Sequence, residues 1–255
     1  MALILVTGAS TGLGRLTAAS LIQRGHDVVV HMRNEGSIAG ATGLERAHTV
    51  LLGDLGRPDH ALAIAEEANT IGAFDAVIHN AGVFSGPDLF AVNVVAPYIL
   101  TAAMRPAKRS IFVSSSMHMA GSIDLSAVDF DIARTGSYED SKLYVTTLAM
   151  LLAQRRPATM SHAVDPGWVP TRMGGPAATG SLESGHRTQE WLATTHEDFV
   201  TPRTGGYWHH ERASTPSRAA HDLRFQGRLA KKLAIHTGIP LPRASVRRLS
   251  SVSGS

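Results

Sequence analysis

The stretch that decides the fold lies at the N-terminus, where residues 3–14 read LILVTGASTGLG. A run of strand length is followed by a glycine-rich turn, and a segment of helix length begins inside that turn. Gly8 permits the tight turn, Gly12 lets the backbone approach a pyrophosphate, and Gly14 allows close packing of helix on strand. A purely structural turn is the alternative, but the flanking strand and helix favour a nucleotide site at the helix N-terminus.

The rest of the chain continues this alternation of strand-length and helix-length segments. Such alternation is typical of βαβ units and predicts an α/β fold with a Rossmann-like, doubly wound parallel sheet in a single domain. Pro97 should kink the third predicted helix. Further strands are predicted at residues 27–31, 48–52, 73–78, 110–114 and 159–164, with a seventh around 207–209. Helices are predicted at residues 12–24, 58–69, 88–104, 137–154 and 216–236.

The composition excludes several classes of protein. The chain has 255 residues, 44% of them hydrophobic, with 24 Gly and 12 Pro that follow no period, so collagen-like, coiled-coil and disordered chains are excluded. It has no Cys, hence no disulfide or thiolate metal site. No apolar run reaches the roughly 18–20 residues of a membrane span, and the apolar N-terminus lacks the basic flank of a signal peptide. We therefore expect a cytoplasmic protein with no membrane span.

Charge is unevenly distributed along the chain. Residues 201–255 carry a formal charge of +8, whereas residues 1–200 carry −5. A basic end would suit nucleic acid or an anionic membrane, but basic and aromatic residues do not interleave there, which favours solvated helix faces and no nucleic-acid partner. We predict a domain over residues 1–242 with substrate loops at about 117–136 and 170–200, followed by a disordered tail at 243–255.

The residues after the second predicted strand indicate which nicotinamide cofactor the site would take. An NAD-preferring site places a carboxylate there to accept a hydrogen bond from the ribose hydroxyl, but this chain has Met32 and then Arg33. A guanidinium can instead pair with a 2′-phosphate through two hydrogen bonds. Arg15 adds a second cation just beyond the glycine loop. Ordinary solvated arginines are the alternative, and NADP(H) is favoured over NAD(H).

Tyr138 and Lys142 are spaced by four residues in a predicted helix, so the phenol and the ammonium share one face. A lysine cation stabilises a phenolate, and so does the positive charge of an oxidised nicotinamide. Bringing a tyrosine pKa from ~10 toward ~7 requires about 4 kcal/mol, which two nearby cations in a partly dry cleft can supply. Taken alone, this spacing is equally compatible with surface packing.

The glycine spacing of residues 7–14, Thr-Gly-x-x-x-Gly-x-Gly, resembles the N-terminal motif of the short-chain dehydrogenase/reductase family. Further motifs up to residue 171 match, and the 23-residue interval between Ser115 and Tyr138 resembles the retinol-dehydrogenase-like branch. The resemblance implies a catalytic set made of Asn93, Ser115, Tyr138 and Lys142, although Ser114 and Ser116 allow a slip of one residue. The implied cofactor-binding set comprises Gly8, Ser10, Thr11, Gly12, Leu13, Gly14, Arg15, Arg33, Asp54, Leu55, Asn80, Ala81, Gly82, Tyr138, Lys142, Pro166, Gly167, Val169 and Thr171.

Two departures from the family pattern stand out: His79 replaces the first Asn of an Asn-Asn-Ala-Gly motif, and Ala96 replaces a Gly after Asn93. By resemblance, Ser115 positions and polarises a carbonyl, Tyr138 donates the proton, Lys142 lowers the tyrosine pKa and binds ribose, and Asn93 supports a proton relay. Family members often form homodimers or homotetramers, and a monomer stays open for this chain.

The predicted function is an oxidoreductase that transfers hydride between NADP(H) and a small-molecule carbonyl or secondary alcohol. The main alternative is a non-catalytic, NADP(H)-sensing protein of the same fold; an epimerase or dehydratase is disfavoured by the glycine spacing. The chain has no Gly-x-Ser-x-Gly hydrolase motif, and residues 209–211 (HHE) lack metal-ligand spacing, so no metal is predicted. An apolar or aromatic substrate is suggested by candidate pocket residues Met117, His118, Trp168, Met173 and Trp191.

Overall fold

The computed structural model describes residues 1–130 and 136–241. Its strands are β1 (Leu3–Val6), β2 (Asp27–Met32), β3 (Thr49–Leu52), β4 (Ala76–His79), β5 (Arg109–Val113), β6 (Met160–Asp165), β7 (Gly206–His209) and β8 (Arg212–Ser214). They form one sheet in the order β3-β2-β1-β4-β5-β6-β7-β8, parallel throughout except for the antiparallel pair β7 and β8. The order reverses between β1 and β4, so the predicted doubly wound parallel α/β sheet is confirmed.

Helices cover both faces of this sheet. They are α1 (Gly12–Gln23), α2 (Pro58–Ile71), α3 (Ala96–Ala103), α4 (Tyr138–Arg155), α5 (Leu182–Thr194) and α6 (Leu223–Thr237). Leu5 and Val29 belong to the core on the side of α2, α3, α4 and α6, whereas their neighbours Ile4 and Val28 face α1 and α5. Because successive strand residues point to opposite faces and both faces are covered, the strands are apolar at nearly every position.

The start of α4 is fixed by a reciprocal pair of hydrogen bonds. The Ser137 hydroxyl accepts from the backbone N–H of Asp140 at 3.1 Å, and the Asp140 carboxylate accepts from the backbone N–H of Ser137 at 2.8 Å. This capping box satisfies two N–H groups that would otherwise lack partners. The other Asp140 oxygen accepts from Ser122 N–H at 2.7 Å, which ties the preceding connection to the helix. Tyr138 is thereby held in the first turn.

Four elements differ from the sequence prediction. The helix predicted at 216–236 begins only at Leu223, because Arg218–His221 forms a separate 3₁₀ turn. The segment 170–200, predicted as a loop, contains helix α5, whose buried face is formed by small and polar residues such as Gly185, Thr188 and Gln189 and so lacks a large apolar stripe. Strand β8 was not predicted. The helix predicted at 88–104 contains a π-helical turn, Ala91–Val95, directly before α3, which begins at Ala96 beside Pro97. The predicted tail 243–255 and residues 131–135 of the first predicted loop lie outside the described residues.

The carboxyl ends of the parallel strands bring the candidate functional segments to one edge of the sheet. The glycine loop follows β1, residues 80–82 follow β4, residues 114–116 follow β5, and residues 166–171 follow β6. In an open α/β sheet this edge holds the ligand crevice, next to the point where the strand order reverses.

Candidate active site

A cavity of about 780 Å³ opens at this edge of the sheet. Two of the predicted site residues, Arg15 and Asn93, do not line it. Its wall includes all the others: Gly8, Ser10, Thr11, Gly12, Leu13, Gly14, Arg33, Asp54, Leu55, Asn80, Ala81, Gly82, Ser115, Tyr138, Lys142, Pro166, Gly167, Val169 and Thr171. The fold thus brings the glycine loop and the Tyr138 segment to one cavity, although more than 120 residues separate them in the chain.

The glycine loop has no room for side chains at its tightest points. Gly8 has a φ of +66°, and a Cβ there would lie 2.8 Å from Ala81 Cα. A Cβ on Gly14 would lie 2.3 Å from the Asn80 amide nitrogen and 2.4 Å from the Gly8 carbonyl oxygen. Since real Cβ atoms avoid such approaches, glycine is required at both positions for the backbone to form this cradle.

The Asn80 side chain supports the loop from beneath. Its amide donates to the carbonyl oxygens of Thr7 at 2.9 Å and Gly8 at 3.3 Å. The Thr7 hydroxyl in turn accepts from the backbone N–H groups of Asn80 and Ala81, both at 3.0 Å. These bonds join the ends of β1 and β4, so Asn80 borders the cavity while its amide holds the protein backbone.

A buried imidazole that sequence analysis missed also holds the loop. His31 Nδ1 accepts from the Gly8 N–H at 3.1 Å, and His31 Nε2 lies 2.8 Å from the Gly53 carbonyl oxygen. An N–H can only donate and a carbonyl can only accept, so the ring is neutral with its proton on Nε2. Burial lowers the pKa of His31, which keeps the ring neutral. Gly8 N–H is therefore committed to the protein and does not face the cavity.

The two predicted arginines occupy different environments. Arg33 follows β2, borders the cavity and lies 3.9 Å from a carboxylate oxygen of Asp54, with 59% of its side chain exposed. Arg15 instead donates to the Thr42 carbonyl oxygen at 2.9 Å. Arg33 is thus the predicted cation that reaches the cavity, and Arg15 is engaged by the connection that follows β2.

Tyr138 and Lys142 lie together on the cavity wall beside Ser115. The Ser115 side chain lies near enough to the Tyr138 hydroxyl to lower the pKa of the phenol, and Lys142 Nζ lies 5.5 Å from the centre of the Tyr138 ring. Lys142 is buried, and its ammonium donates to the Val113 carbonyl oxygen at 2.9 Å. A phenol, a hydroxyl and an ammonium therefore converge at the end of β5.

Lys142 alone does not bring the pKa of Tyr138 toward neutrality in this structure. Burial raises the pKa of Tyr138 to about 12, and the Ser115 side chain opposes that rise without cancelling it. Burial also lowers the pKa of Lys142 to about 8. The ammonium is directed at the Val113 carbonyl, so it does not offset the desolvation of the phenol. Tyr138 is therefore protonated at neutral pH.

The three consecutive serines after β5 have separate surroundings. The Ser114 hydroxyl is buried and shares a 2.6 Å hydrogen bond with Thr146. The Ser115 hydroxyl accepts from Met117 N–H at 3.2 Å, and the Ser115 side chain acts to lower the pKa of Tyr138. Ser116 begins the short 3₁₀ turn Ser116–Ala120. Of these three serines, Ser115 is the one that influences the pKa of the phenol.

Asn93 lies in the π-helical turn Ala91–Val95 and is buried. Its side-chain oxygen accepts from Val83 N–H at 2.8 Å, and its amide donates to the Val83 carbonyl oxygen at 2.9 Å and to the Ser141 hydroxyl at 3.0 Å. The side chain thus links the segment after β4 to helix α4. Asn93 therefore lies behind the cavity wall, and its partner Ser141 directly precedes Lys142 in α4.

The segment after β6 closes the cavity opposite the glycine loop. The Asp165 carboxylate accepts from Gly167 N–H at 2.9 Å, and the Thr171 hydroxyl accepts from Gly174 N–H at 3.2 Å. The Thr171 side chain lies near Gly12, where an added Cβ would come within 3.5 Å of it. This segment places Val169 and Thr171 on the wall predicted to hold the cofactor.

The mouth of the cavity carries exposed apolar side chains. Met117, Trp168 and Met173 line it as predicted, with 37%, 56% and 45% of each residue exposed. The sequence did not single out Phe84, which is also exposed and whose ring lies 4.7 Å from the Tyr138 ring. His118 and Trp191, the other two candidates, do not border the cavity: His118 is buried, and Trp191 packs on Trp208.

Other kinds of site find little support in the part of the chain that the structure describes. Among residues 1–130 and 136–241, no three His, Cys, Asp or Glu side chains are grouped so that they could bind a metal ion. His209 and His210 stack on each other, with ring centres 3.9 Å apart. None of the helices described is both long and apolar enough to cross a membrane.

Comparison with known proteins agrees with this geometry. The family model for short chain dehydrogenases matches residues 2–180. The short-chain dehydrogenase chry4 of Gibberella zeae is 39% identical, over 95% of this chain and 99% of that protein. The chain therefore belongs to the short-chain dehydrogenase family, and it is an enzyme of the oxidoreductase class.

Two further similarities bear on the branch and the fold. Mouse retinol dehydrogenase 14 is 28% identical over 67% of this chain and 62% of that protein, so the likeness to the retinol-dehydrogenase-like branch is present at lower identity. A short-chain dehydrogenase of Shigella flexneri, solved in complex with NADP, covers 83% of this chain and 97% of its own, with a TM-score of 0.65 at 24% identity.

Proposed function

We propose that this enzyme transfers hydride reversibly between NADP(H) and a carbonyl or secondary alcohol, with Tyr138 as the general acid and base. One observation carries the proposal: the Tyr138 phenol borders the same cavity as the glycine loop, together with Ser115 and the nearby Lys142 ammonium. A donor set of this kind suits an oxygen atom that gains or loses negative charge during the reaction.

The residues around the cavity fit a dinucleotide. Gly8 and Gly14 form a cradle that a Cβ would fill, which leaves the backbone free to approach a pyrophosphate beside the N-terminus of α1. Arg33 supplies a cation after β2, where an NAD-preferring site would have a carboxylate. Val169 and Thr171 would hold the nicotinamide end. A bound nicotinamide supplies the hydride.

The protein's own residues would then handle the substrate oxygen and its proton. In reduction, the Ser115 hydroxyl donates a hydrogen bond to the carbonyl oxygen and orients it toward Tyr138. A pKa of about 12 keeps the Tyr138 phenol protonated at neutral pH, so it can donate its proton to the developing alkoxide. Lys142, with a pKa of about 8, is mainly cationic at neutral pH, and its ammonium would bind the nicotinamide ribose.

A preference for NADP(H) over NAD(H) is part of the proposal. Arg33 is the cation at the position where a 2′-phosphate would lie, and its guanidinium is exposed enough to turn toward a ligand. The complex of the Shigella flexneri protein with NADP shows that a protein of this fold takes the phosphorylated cofactor.

An apolar or aromatic carbonyl is the substrate class that we propose. Phe84 packs against the Tyr138 ring, and Met117, Trp168 and Met173 continue the apolar surface around the mouth of the cavity. Planar or aliphatic groups next to the reacting carbonyl would bury part of this apolar surface. Each Å² removed from water would contribute about 25 cal/mol to the binding free energy.

The test is NADPH oxidation with a panel of aromatic aldehydes and ketones, with isatin and benzil among them. Tyr138→Phe should lower kcat by roughly a hundredfold or more, the usual size of a general-acid contribution, and leave NADPH affinity unchanged. Tyr144→Phe is the matched control, because Tyr144 lies on the same helix with a buried hydroxyl that has no partner among the described residues. NADPH binding without turnover of any carbonyl would instead favour the non-catalytic nucleotide sensor, and a Tyr138→Phe variant with the parental kcat would overturn the role of the phenol.

A further inference from the structure

A second buried imidazole lies directly behind Ser115. His118 belongs to the turn Ser116–Ala120, and only 1% of its surface is exposed. Its Nδ1 lies 2.7 Å from the Ser115 carbonyl oxygen, and its Nε2 lies 2.9 Å from the backbone nitrogen of Ser217. The ring also packs against Tyr207, with ring centres 4.7 Å apart. His118 thus connects the end of β5 to the segment before α6.

The two contacts fix the protonation of this ring. Ser217 N–H can only donate, so Nε2 must be an acceptor, and the Ser115 carbonyl can only accept, so Nδ1 must carry the proton. A second proton on Nε2 would break the Ser217 bond. Burial lowers the pKa of His118 against the opposing charge of Asp165, in agreement with a neutral ring. Both nitrogens are engaged by backbone, and the ring does not border the cavity.

We propose that His118 is a positioning residue for the hydroxyl of Ser115. The inference rests on the proposed function, in which that hydroxyl orients the substrate oxygen. The Ser115 carbonyl accepts from the His118 backbone N–H at 3.1 Å and from its ring at 2.7 Å, so the peptide that carries the hydroxyl is held twice. The ring in turn is held by Ser217, which lies beyond residues 2–180 that match the family model.

Substitution of His118 by Asn or Gln tests its two hydrogen bonds separately, because each amide can replace only one of them. In His118→Asn, the amide N–H can replace the Nδ1 donor to Ser115 but loses Ser217. In His118→Gln, the longer side chain can place its amide oxygen where Nε2 accepts from Ser217 but loses Ser115. We expect His118→Gln and His118→Phe to lower kcat roughly ten- to a hundredfold, the size of effect that misplacing a reacting group by about 1 Å produces. His118→Asn should stay within about threefold of the parent. NADPH affinity should be unchanged in all three, and thermal unfolding checks that each variant is folded.

A double-mutant cycle with Ser115→Ala then asks whether His118 acts through the Ser115 hydroxyl. Once that hydroxyl is removed, His118→Gln should cause no further loss of kcat, because coupled residues are not additive. Full additivity, or equal losses in His118→Asn and His118→Gln, would overturn the positioning role while hydride transfer by the parent enzyme stands. A parent that binds NADPH but reduces no carbonyl would instead overturn the proposed function, and the role of His118 with it.

Discussion

Residues 3–82, which we call the nucleotide half after the proposed function, and residues 109–174, the reaction half, each have a loop at the cavity that a buried imidazole holds. The two imidazoles, His31 and His118, are opposite tautomers. His31 accepts a hydrogen bond at Nδ1 from Gly8 and donates from Nε2 to Gly53. His118 donates from Nδ1 and accepts at Nε2. In each half the ring binds the backbone of a loop that borders the cavity; His31 itself lines the cavity, whereas His118 does not.

The difference between the tautomers follows from the group that each loop presents. The glycine loop turns an N–H inward, so it needs an acceptor, whereas the turn at Ser115 presents a carbonyl and needs a donor. A neutral imidazole offers one of each, and burial prevents the second protonation that would remove the acceptor. Losing the ring should therefore affect nucleotide affinity in one half and turnover in the other.

The largest effect is expected from a substitution that disrupts only the nucleotide half. Gly14→Ala places a Cβ 2.3 Å from the Asn80 amide nitrogen and 2.4 Å from the Gly8 carbonyl oxygen. Neither neighbour is the free end of a flexible side chain, because Asn80 is itself bonded to the loop. We expect unfolding free energy to fall by roughly 1–3 kcal/mol and NADPH affinity to fall about a hundredfold. Urea unfolding and NADPH fluorescence titration measure both.

Gly40→Ala is the control for that substitution, because an added Cβ there meets nothing within 4 Å. It should leave NADPH affinity within about twofold, well under the 1.4 kcal/mol that a tenfold change represents. If Gly14→Ala bound NADPH as tightly as Gly40→Ala, the cradle would not be the nucleotide site.

In the reaction half, the buried Lys142 should make stability depend on pH. Its pKa falls from 10.5 in an unfolded chain to about 8 in the fold. Between those values the unfolded state binds more protons, so the contribution of Lys142 to stability rises as pH rises. Relative to Lys142→Met, the wild-type free energy of unfolding should gain up to about 3 kcal/mol from roughly pH 7 to pH 11. Urea unfolding across this range measures the difference.

Lys231→Met supplies the matched control, because Lys231 is exposed on α6. The difference between wild type and this variant should stay flat with pH. Parallel pH profiles for wild type and Lys142→Met would contradict the lowered pKa of the buried ammonium.

Exchanging His31 mirrors the His118 experiment in the other half. His31→Asn can keep an acceptor for the Gly8 N–H, whereas His31→Gln leaves that N–H without its partner. An unpaired buried donor costs about 1–3 kcal/mol, so His31→Gln should weaken NADPH binding roughly tenfold, and His31→Asn less. The kcat at saturating NADPH should be nearly unchanged in both. A loss of kcat with unchanged affinity would abolish the distinction between the two halves.

The sequence predicted the nucleotide half better than the reaction half. The spacing of Gly8, Gly12 and Gly14 follows from the backbone conformation of the turn. Tyr138 and Lys142 share a helix face because they are four residues apart. Both patterns can therefore be recognised in a single sequence. Helix α5 was missed because its buried face is small and polar, and Leu192 is the largest apolar residue on that face. A helix is recognised in sequence by large apolar residues at helical spacing, and such a face lacks them.

The supporting residues could not be predicted for a different reason. His31 and His118 are single histidines, and each has a backbone partner distant in the chain, Gly53 for His31 and Ser217 for His118, so no motif or spacing marks them. The raised pKa of Tyr138 was likewise invisible, because burial and the direction of the Lys142 ammonium are properties of packing. Local pattern predicts most of the residues that line the cavity, whereas their protonation depends on tertiary structure.

The smallest expected effect distinguishes the two arginines predicted to bind a 2′-phosphate. Arg33 borders the cavity, and its weak, exposed ion pair with Asp54 leaves the guanidinium able to turn toward a phosphate. Arg15 is engaged by the Thr42 carbonyl. A hydrogen bond between charged groups contributes about 1.5–3 kcal/mol, so Arg33→Ala should weaken NADPH about tenfold and leave NADH unchanged. Arg15→Ala should lie near the exposed control Arg46→Ala in titrations with both nucleotides. Equal losses of NADPH and NADH affinity in Arg33→Ala would show that Arg33 supports the cavity wall and does not select the phosphate.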